Sequence, residues 1–497
     1  MTQQKHKADV IVVGGGPAGS VLAWALAREG VRTVLLERAR FPREKVCGDY
    51  VDPRGLRVLQ AMGCLEEVDR FKSPPITHTT TFVEAERLYE GPIPFYGMHG
   101  DLAPHGYTIP REQLDAVMLE AAARAGAVVH EETAVTELDA GSGGVGVTAR
   151  RRQRMARYAA HLIAGADGAN SFVARSQSLA AADPRFTVVA QRCYAAVASP
   201  GSEAATELFF DESSFPGYGW MFPGPSGLVN LGVGLLSEAR QRFDVHMPTV
   251  FSTFVEQLRR HHPRCGELEL ASKPIGGTVR TYGGAGRNYF DGGVLVGDAG
   301  GFADPMTGEG ITQGMESALL AGPVIVAALE AGDFGAARLA GYETAFRAYF
   351  DPSMVFLDFC AAVMRNRHFA RPWLKVMARG CELAQTDEEF ALTSSSYFGG
   401  LEIRPTAILG QVWLRSLQEA LLAWPRLISG TSDAADRRHR ASPAELLEWQ
   451  AALARSMLSD PLWHMRWTLD IQARWARVLE TAAGGARDRR AEGLLAR

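Results

Sequence analysis

Hydrophobic residues along the first forty positions fall into blocks of different periodicity. Val10–Val13 is a run of β-branched residues, typical of a buried parallel strand. The segment 17–29 places small or apolar residues on one helical face and stops at Gly30. A second apolar run, Thr33–Leu36, ends in the carboxylate of Glu37. The pattern predicts a strand, a helix and a second parallel strand.

The turn between the first strand and the helix carries G-x-G-x-x-G, formed by Gly14, Gly16 and Gly19. Glycines at this spacing permit a tight turn, close approach of a pyrophosphate to backbone N–H groups, and close packing of helix on strand. A phosphate can then bind at the helix N-terminus, and Glu37 can accept a hydrogen bond from a ribose 2′-hydroxyl. Any one glycine alone would indicate only an ordinary turn. Together with the flanking elements they predict a dinucleotide site.

The rest of the pattern divides between two kinds of segment. Apolar strands near 161–165 and 292–297 are followed by Asp167 and Asp298, as in the first unit, and a long helix is predicted over 312–329. Other segments alternate or are rich in proline and favour a separate β-rich domain. We predict an α/β plus α+β protein: a Rossmann-like nucleotide-binding domain, an inserted β-sheet substrate domain and a helical C-terminal region. The predicted boundaries are 1–75, 105–183 and 283–350 for the first, 76–104 and 184–282 for the second, and 351–497 for the third.

Composition narrows the class of protein. The 497 residues are 46% hydrophobic, which is enough for two large cores. A net charge of −4 gives no reason to expect a nucleic-acid partner. The six cysteines show no C-x-x-C pair and no histidines at ligand spacing, so neither a disulfide framework nor a metal site is predicted, and a cytoplasmic location fits. No uninterrupted apolar run of about 18 residues predicts a transmembrane segment, although peripheral membrane contact remains open.

Three separated signatures resemble the FAD-binding motifs of flavoproteins with the para-hydroxybenzoate hydroxylase fold: GGGPAG at 14–19, GADG at 165–168 and GDAGGFADPMTGEGI at 297–311. Within that fold, KVCGD at 45–49 and PGYGWMFP at 216–223 are similar to the K-x-C-G-D and Y-x-W-x-F-P motifs of the geranylgeranyl reductase group. That group includes archaeal lipid reductases and reductases of the menaquinone side chain. The resemblance covers residues 8 to 350.

The resemblance implies an FAD site with an adjacent cavity for an extended apolar substrate. The helix beginning near Ile311 would aim its dipole at the flavin. The implied cofactor-binding residues are Gly14, Gly16, Pro17, Ala18, Gly19, Glu37, Arg38, Cys47, Gly48, Arg111, Asp167, Asp298, Gly308, Gly310 and Ile311. The candidate catalytic residues, as proton donors, are Cys47, Asp49 and Tyr218, and the candidate substrate-binding residues are Tyr218, Trp220 and Phe222.

Two positions of the cysteine motif depart from the pattern, since Val46 and Tyr50 stand where the reductases usually have proline and glycine. Flavin-dependent halogenases share the fold with a W-x-W-x-I-P motif, from which Tyr218 and Phe222 differ. The motifs therefore favour reduction of a C=C bond in a prenyl or polyketide/polyene substrate. We expect the reaction to belong to natural-product biosynthesis or to lipid and quinone metabolism. Oxygenation, a [4+2] cyclisation with structural FAD, and halogenation remain as alternatives. The sequence leaves the electron donor open between NAD(P)H, another reductant and a separate flavin reductase.

Overall fold

The structure is a computed structural model that describes residues 5–92, 103, 105–152, 154–179, 183–198, 205–283, 286–391 and 443–484. The predicted C-terminal region therefore falls partly outside the described residues, as does the end of the first predicted β-rich insertion.

Twenty strands are defined within the described ranges. In chain order they are β1 Lys5–Lys7, β2 Val10–Val13, β3 Thr33–Leu36, β4 Tyr50–Val51, β5 His78–Val83, β6 Glu86–Pro92, β7 Tyr107–Thr108, β8 Val128–His130, β9 Thr133–Gly141, β10 Gly144–Arg151, β11 Arg154–Ala160, β12 Leu162–Gly165, β13 Thr187–Ala196, β14 Ala205–Phe210, β15 Gly217–Pro223, β16 Leu228–Leu236, β17 Glu269–Leu270, β18 Ile275–Arg280, β19 Tyr289–Phe290 and β20 Gly293–Leu295.

Helices connect and cover these strands. They are α1 Pro17–Arg28, α2 Pro53–Ala61, α3 Leu65–Asp69, α4 Arg111–Arg124, α5 Phe172–Ser176, α6 Ser237–Arg242, α7 Met247–His261, α8 Ile311–Ala331, α9 Ala336–Leu339, α10 Gly341–Met364, α11 Ala370–Thr386, α12 Pro443–Ser459 and α13 Pro461–Gly484.

The strands of the nucleotide-binding unit form a six-stranded sheet in the order β19-β20-β12-β2-β3-β8. From β20 to β8 all neighbours are parallel, and β19 is an antiparallel edge. Parallel strands are buried on both faces, which explains why these segments are continuous apolar runs. Helices α1 and α8 pack together in the main hydrophobic core. A four-stranded sheet, in the order β1-β11-β10-β9, flanks this unit.

A second, larger sheet has the order β17-β13-β16-β15-β14-β5-β6, with β18 also paired to β13. Its strands come from residues 78–92 and 187–280, on both sides of the chain that returns to the nucleotide-binding unit. One face packs on α7, and the other faces α11. The mixed architecture confirms the predicted fold class. It also brings β15 alongside the loops that follow the parallel strands.

One helix of the described part, α8, is long and apolar enough by length and composition alone to cross a membrane. However, 56% of its most apolar window is buried inside the fold. The helix begins at Ile311 rather than Thr312 and ends at Ala331, and Pro323 lies within it. Burial against α1 accounts for its apolar composition, as is usual for a core helix.

Candidate active site

The three glycines of the first turn have different surroundings. Gly14 has a φ of +105°, and a Cβ there would lie 2.4 Å from the Ala166 carbonyl oxygen. A Cβ on Gly19 would lie 1.9 Å from the Gly14 carbonyl oxygen, so helix and turn touch backbone to backbone. A Cβ on Gly16 would meet only Arg43 Nη2, at 3.7 Å. Turn geometry and packing therefore require Gly14 and Gly19, whereas the space beside Gly16 is free for a ligand.

Glu37 closes this turn from the end of β3. Its Oε2 accepts a hydrogen bond from Gly15 N at 2.7 Å and its Oε1 accepts one from Ala39 N at 2.7 Å. The side chain is buried, and a carboxylate with two such bonds retains lone pairs for another donor. The neighbouring Arg38 is exposed.

Asp167 has a local structural role. Its Oδ2 accepts hydrogen bonds from Phe172 N at 2.6 Å and from Val173 N at 3.3 Å, and its Oδ1 accepts one from the Ser171 hydroxyl. These contacts hold the N-terminus of α5.

The loop before α8 is built around Asp304, whose Oδ1 accepts hydrogen bonds from Met306 N at 2.7 Å and Thr307 N at 2.9 Å. Helix α8 then begins at its N-cap Gly310, which has no side chain to cap the first turn. The N–H groups of this turn are left for a ligand, and the helix dipole favours negative charge there. Asp298 lies nearby, 3.5 Å from Lys45 Nζ.

A single large cavity joins the nucleotide-binding loops to the second sheet and encloses about 1990 Å³ of space, part of it open to solvent. Most of the residues predicted for the site lie on its wall. These are Gly16, Pro17, Ala18, Cys47, Gly48, Asp49, Arg111, Tyr218, Trp220, Phe222, Asp298, Gly308, Gly310 and Ile311. The predicted residues that do not line it are Gly14, Gly19, Glu37, Arg38 and Asp167.

Strand β15 forms the apolar wall. Tyr218, Trp220 and Phe222 belong to one cluster on the cavity side of the sheet, whereas Met221 belongs to the cluster on the opposite side. This is the alternation expected of a strand. The Trp220 ring fits over Gly232 of the next strand, where a Cβ would lie 2.2 Å from the indole.

Tyr218 connects the two walls. Its hydroxyl donates a hydrogen bond to the Thr307 carbonyl oxygen in the loop before α8. Burial raises the pKa of this phenol, so the proton stays on the hydroxyl. The side chain therefore fixes the distance between the aromatic strand and that loop.

The cysteine motif lies between the walls. Cys47 is half-buried, and burial raises the pKa of its thiol although the nearby Arg111 lowers it. Arg111 is held by a bidentate pair with Asp115, with N···O distances of 2.7 and 2.8 Å. A Cβ on Gly48 would lie 3.1 Å from the Phe222 ring. The loop is thus packed directly against the aromatic strand.

Asp49 is fully buried and has a φ of +63°. Its Oδ2 accepts hydrogen bonds from the Tyr194 hydroxyl at 2.5 Å and from Asn230 Nδ2 at 2.8 Å, while its Oδ1 has no partner. Burial raises the pKa of Asp49 to about 6, against the opposing effect of the Tyr194 hydrogen bond and of Arg192. The carboxyl group can therefore gain and lose a proton near neutral pH.

Asn230 is the centre of this network. Its amide also donates to the Cys47 carbonyl oxygen at 2.9 Å and accepts from Trp220 Nε1 at 2.9 Å. Sequence reasoning missed Asn230 and Tyr194. The signal for Asn230 was present, since it is the only polar side chain in the apolar run LVNLGVGLL.

A second group of buried polar residues, also missed, lies where α2 meets the first turns of α8. Asp52 accepts hydrogen bonds from Gly55 N at 2.7 Å and from the Thr312 hydroxyl at 2.8 Å. Arg54 lies 3.4 Å from both Asp52 and Glu316. Glu309, on the cavity wall, accepts a hydrogen bond from Gln313, and burial with nearby carboxylates raises its pKa well above the ordinary value.

The two departures from the reductase pattern are both accommodated by glycines. Val46 lies against Gly277, where a Cβ would be 2.7 Å from Val46 Cβ. Tyr50 lies against Gly106, where a Cβ would be 2.6 Å from its ring. The Tyr50 hydroxyl is buried and has no hydrogen-bond partner, and Tyr50 lines the cavity. The altered loop is therefore packed without collision.

Comparison with known proteins agrees with this geometry. A family model described as an FAD binding domain matches residues 7–221. The chain is 35% identical over 328 residues to a menaquinone reductase of Mycolicibacterium smegmatis, covering 63% of this chain and 75% of that protein. It is 30% identical over 351 residues to a digeranylgeranylglycerophospholipid reductase of Methanothrix thermoacetophila, covering 69% and 83%. The chain belongs to the geranylgeranyl reductase group of FAD-dependent oxidoreductases.

Solved structures show the same fold. A geranylgeranyl bacteriochlorophyll reductase-like protein of Thermoplasma acidophilum superposes with a TM-score of 0.61 at 21% identity, covering 84% of this chain and 99% of that one. A flavin-dependent halogenase gives a TM-score of 0.61 at 21% identity, covering 92% and 78%. Since a reductase-like protein and a halogenase share this fold, the fold alone does not select the reaction.

The residues present fit an FAD. The space beside Gly16 and the uncapped first turn of α8 supply free backbone N–H groups where phosphates and an electron-rich ring edge would bind. The same cavity continues to the aromatic strand, so cofactor and substrate can meet within it.

Proposed function

We propose that the protein uses FAD to reduce C=C bonds in the prenyl chain of a lipid or quinone. One observation carries the proposal: a single cavity is bounded by the dinucleotide loops on one side and by Tyr218, Trp220 and Phe222 on the other. Aromatic walls favour an extended apolar substrate. The two relatives, a menaquinone reductase and a digeranylgeranylglycerophospholipid reductase, support the same substrate class.

Reduced FAD, when bound, supplies the hydride. The first turn of α8 and the turn at Gly16 would hold the cofactor. Trp220 and Phe222 would exclude water and orient the prenyl chain, while the hydrogen bond from Tyr218 to the Thr307 carbonyl oxygen keeps the two walls in register. We therefore assign Tyr218 a positioning role, because its proton is already engaged.

Saturating one C=C bond consumes a hydride and a proton, and the proton must come from the chain or from solvent. Asp49 can hold a proton at Oδ1, since burial raises its pKa to about 6. Asn230 connects its carboxyl group to the backbone of Cys47. We assign Cys47 and Asp49, which both line the cavity, to proton delivery.

The experiment is an anaerobic single-turnover test. FAD-loaded protein is reduced with NADPH, NADH or dithionite and mixed with a geranylgeranyl lipid that contains no quinone ring. Reoxidation of the flavin, with a product heavier by two hydrogens, is expected. The fully saturated analogue is the matched control and should leave the flavin reduced. Comparing the three reductants also identifies the electron donor.

Three outcomes would reject reduction, and each points to another reaction. A product that forms only with O₂ and gains oxygen indicates a monooxygenase. A product that gains a halogen in the presence of O₂ and halide indicates a halogenase. Turnover of a polyene by the oxidised protein, without a change in substrate mass, indicates a cyclase with structural FAD.

A further inference from the structure

Large apolar side chains are exposed where α12 turns into α13. Leu458 is 83% exposed, Met457 49%, Leu462 60% and Met465 53%. Only Asp460 separates the two helices, so these four side chains belong to one short corner of the chain, which we call the hairpin corner (455–466). Single exposed apolar residues are ordinary on protein surfaces, but a cluster of this kind indicates an interaction site.

The charges at the hairpin corner are mainly positive. Arg455 and Arg466 are exposed on either side of the apolar side chains. The acidic Asp460 is neutralised by Arg242, with an N···O distance of 2.8 Å. An apolar tip flanked by arginines matches an anionic lipid surface, which attracts cations and accepts apolar side chains.

The opposite side of the hairpin holds it on the protein body. Trp467 Nε1 donates a hydrogen bond to the Ala362 carbonyl oxygen at 2.9 Å, and Trp449 Nε1 donates one to the His368 carbonyl oxygen. His464 is buried. The large aromatic residues of α13 are thus used for internal packing, and the exposed leucine and methionine side chains are left to face outward.

The hairpin also lies close to the cavity. Ala361 and Met364 of α10 line the cavity, and Ala362, between them in sequence, accepts the hydrogen bond from Trp467. Helix α10 therefore contacts α13 close to the hairpin corner and also lines the cavity.

We propose that the hairpin corner docks the protein on an anionic lipid bilayer. Met457, Leu458, Leu462 and Met465 enter the acyl boundary, and Arg455 and Arg466 pair with lipid phosphates. Binding itself does not depend on the reaction proposed above. The delivery of a prenyl lipid from the bilayer to the cavity is the part that rests on the proposed function.

The test measures binding of full-length, FAD-loaded protein to vesicles by co-sedimentation. The vesicles contain phosphatidylcholine alone or phosphatidylcholine with phosphatidylglycerol. We expect the protein to bind the anionic vesicles more tightly than the neutral ones. We expect high salt to weaken its binding to the anionic vesicles. The double variant Leu458→Gln/Leu462→Gln should lose at least tenfold in affinity, and Arg455→Gln/Arg466→Gln should remove the preference for anionic lipid.

Leu479→Gln is the matched control. Leu479 is 53% exposed on the same helix, about 25 Å along the axis from Leu462, and its replacement should leave vesicle binding unchanged. All variants should keep the thermal unfolding midpoint of the parent. They should also retain turnover of a short prenyl substrate in solution, so a loss of vesicle binding cannot be confused with failure of the proposed reaction.

Equal binding of the parent and the Leu458→Gln/Leu462→Gln variant would overturn the proposal. So would equal affinity for neutral and anionic vesicles. If light scattering instead shows a dimer that the same double variant dissociates, the corner is an interface between two copies and the bilayer assignment is wrong.

Discussion

On its nucleotide side the cavity is bounded by backbone and small residues, whereas on the opposite side it is bounded by large aromatic rings. Behind the residues that line this side, Gly14 and Gly19 touch neighbouring backbone so closely that no side chain fits. On the aromatic side, the rings of Trp220 and Phe222 stack on each other instead. Trp220 also packs over Gly232, and its indole N–H donates one hydrogen bond. Backbone contacts cannot adjust to a substitution, while side-chain packing can relax in part. The two sides should therefore respond differently to mutation.

The largest effect is expected on the nucleotide side. Gly19→Ala would place a Cβ 1.9 Å from the Gly14 carbonyl oxygen and should abolish folding or FAD retention. Gly16→Ala is the matched variant, because its Cβ has no neighbour closer than 3.7 Å. Without FAD, it should fold with an unchanged melting temperature. It should bind FAD at least tenfold more weakly, because the Cβ occupies the ligand's space, so its melting temperature should rise less when FAD is added.

Melting temperature and FAD titration of both proteins decide this prediction. If Gly16→Ala binds FAD like the parent, the space beside Gly16 is not the pyrophosphate site. If Gly19→Ala folds normally, the close contact in the structure is wrong.

The aromatic side should give the next largest effect. Trp220→Ala removes a buried ring and the hydrogen bond to Asn230, and truncation of a large aromatic residue costs about 3–5 kcal/mol. Trp220→Phe keeps most of the ring and should lose less. If the ring also lines the substrate path, Trp220→Phe should weaken binding of a long prenyl substrate while the flavin absorbance is retained.

Thermal unfolding must accompany the binding measurement. A lower melting temperature with unchanged substrate affinity in Trp220→Phe would mean that the strand is a core element and that the substrate lies elsewhere in the cavity.

Between the two sides, Asp49 gives a smaller, pH-dependent effect. Because folding raises its pKa to about 6, the folded state favours the protonated carboxyl group. Protonation of Asp49 therefore stabilises the folded state, by at most about 3 kcal/mol. This stabilisation is fully present below the pKa of about 4 that Asp49 has in the unfolded chain, and it is lost as the pH rises through about 6. Asp49→Asn should flatten this part of the stability profile.

The measurement is the free energy of unfolding from denaturant titrations between pH 4 and 8. Asp139→Asn, an exposed site on β9, is the control and should leave the profile unchanged. An Asp49→Asn profile identical to that of the parent would show that Asp49 has an ordinary pKa in the folded protein.

The contrast between the nucleotide side and the rest of the cavity also explains which features the sequence could predict. The nucleotide side depends on residues adjacent in sequence, so GGGPAG, Glu37 and the strand pattern were sufficient to predict a nucleotide-binding domain, while the individual cofactor contacts stay predictions. The Asp49 network joins residues 49, 194 and 230 from three separate segments, and pairing of β13 with β16 is what brings the last two together. A short sequence motif does not encode the register in which these two strands pair. Asp167, predicted from its motif position to bind the cofactor, accepts hydrogen bonds from the first turn of α5, and its contact with the cofactor stays a prediction.

Cys47 tests the loop that separates the two sides, and we expect the smallest effect there. Cys47→Ser should retain folding and FAD, because serine is smaller and polar and the site is only half-buried. If the thiol orders substrate or proton delivery, the rate of flavin reoxidation by substrate should fall roughly tenfold or more, about 1.4 kcal/mol of barrier. Cys265→Ser is the control, because Cys265 lies outside the cavity wall and its sulfur is 3.2 Å from His262 Nδ1, a contact that a hydroxyl can also make. An unchanged rate in Cys47→Ser would leave Asp49 as the proton donor and reduce Cys47 to a small packing residue beneath the aromatic strand.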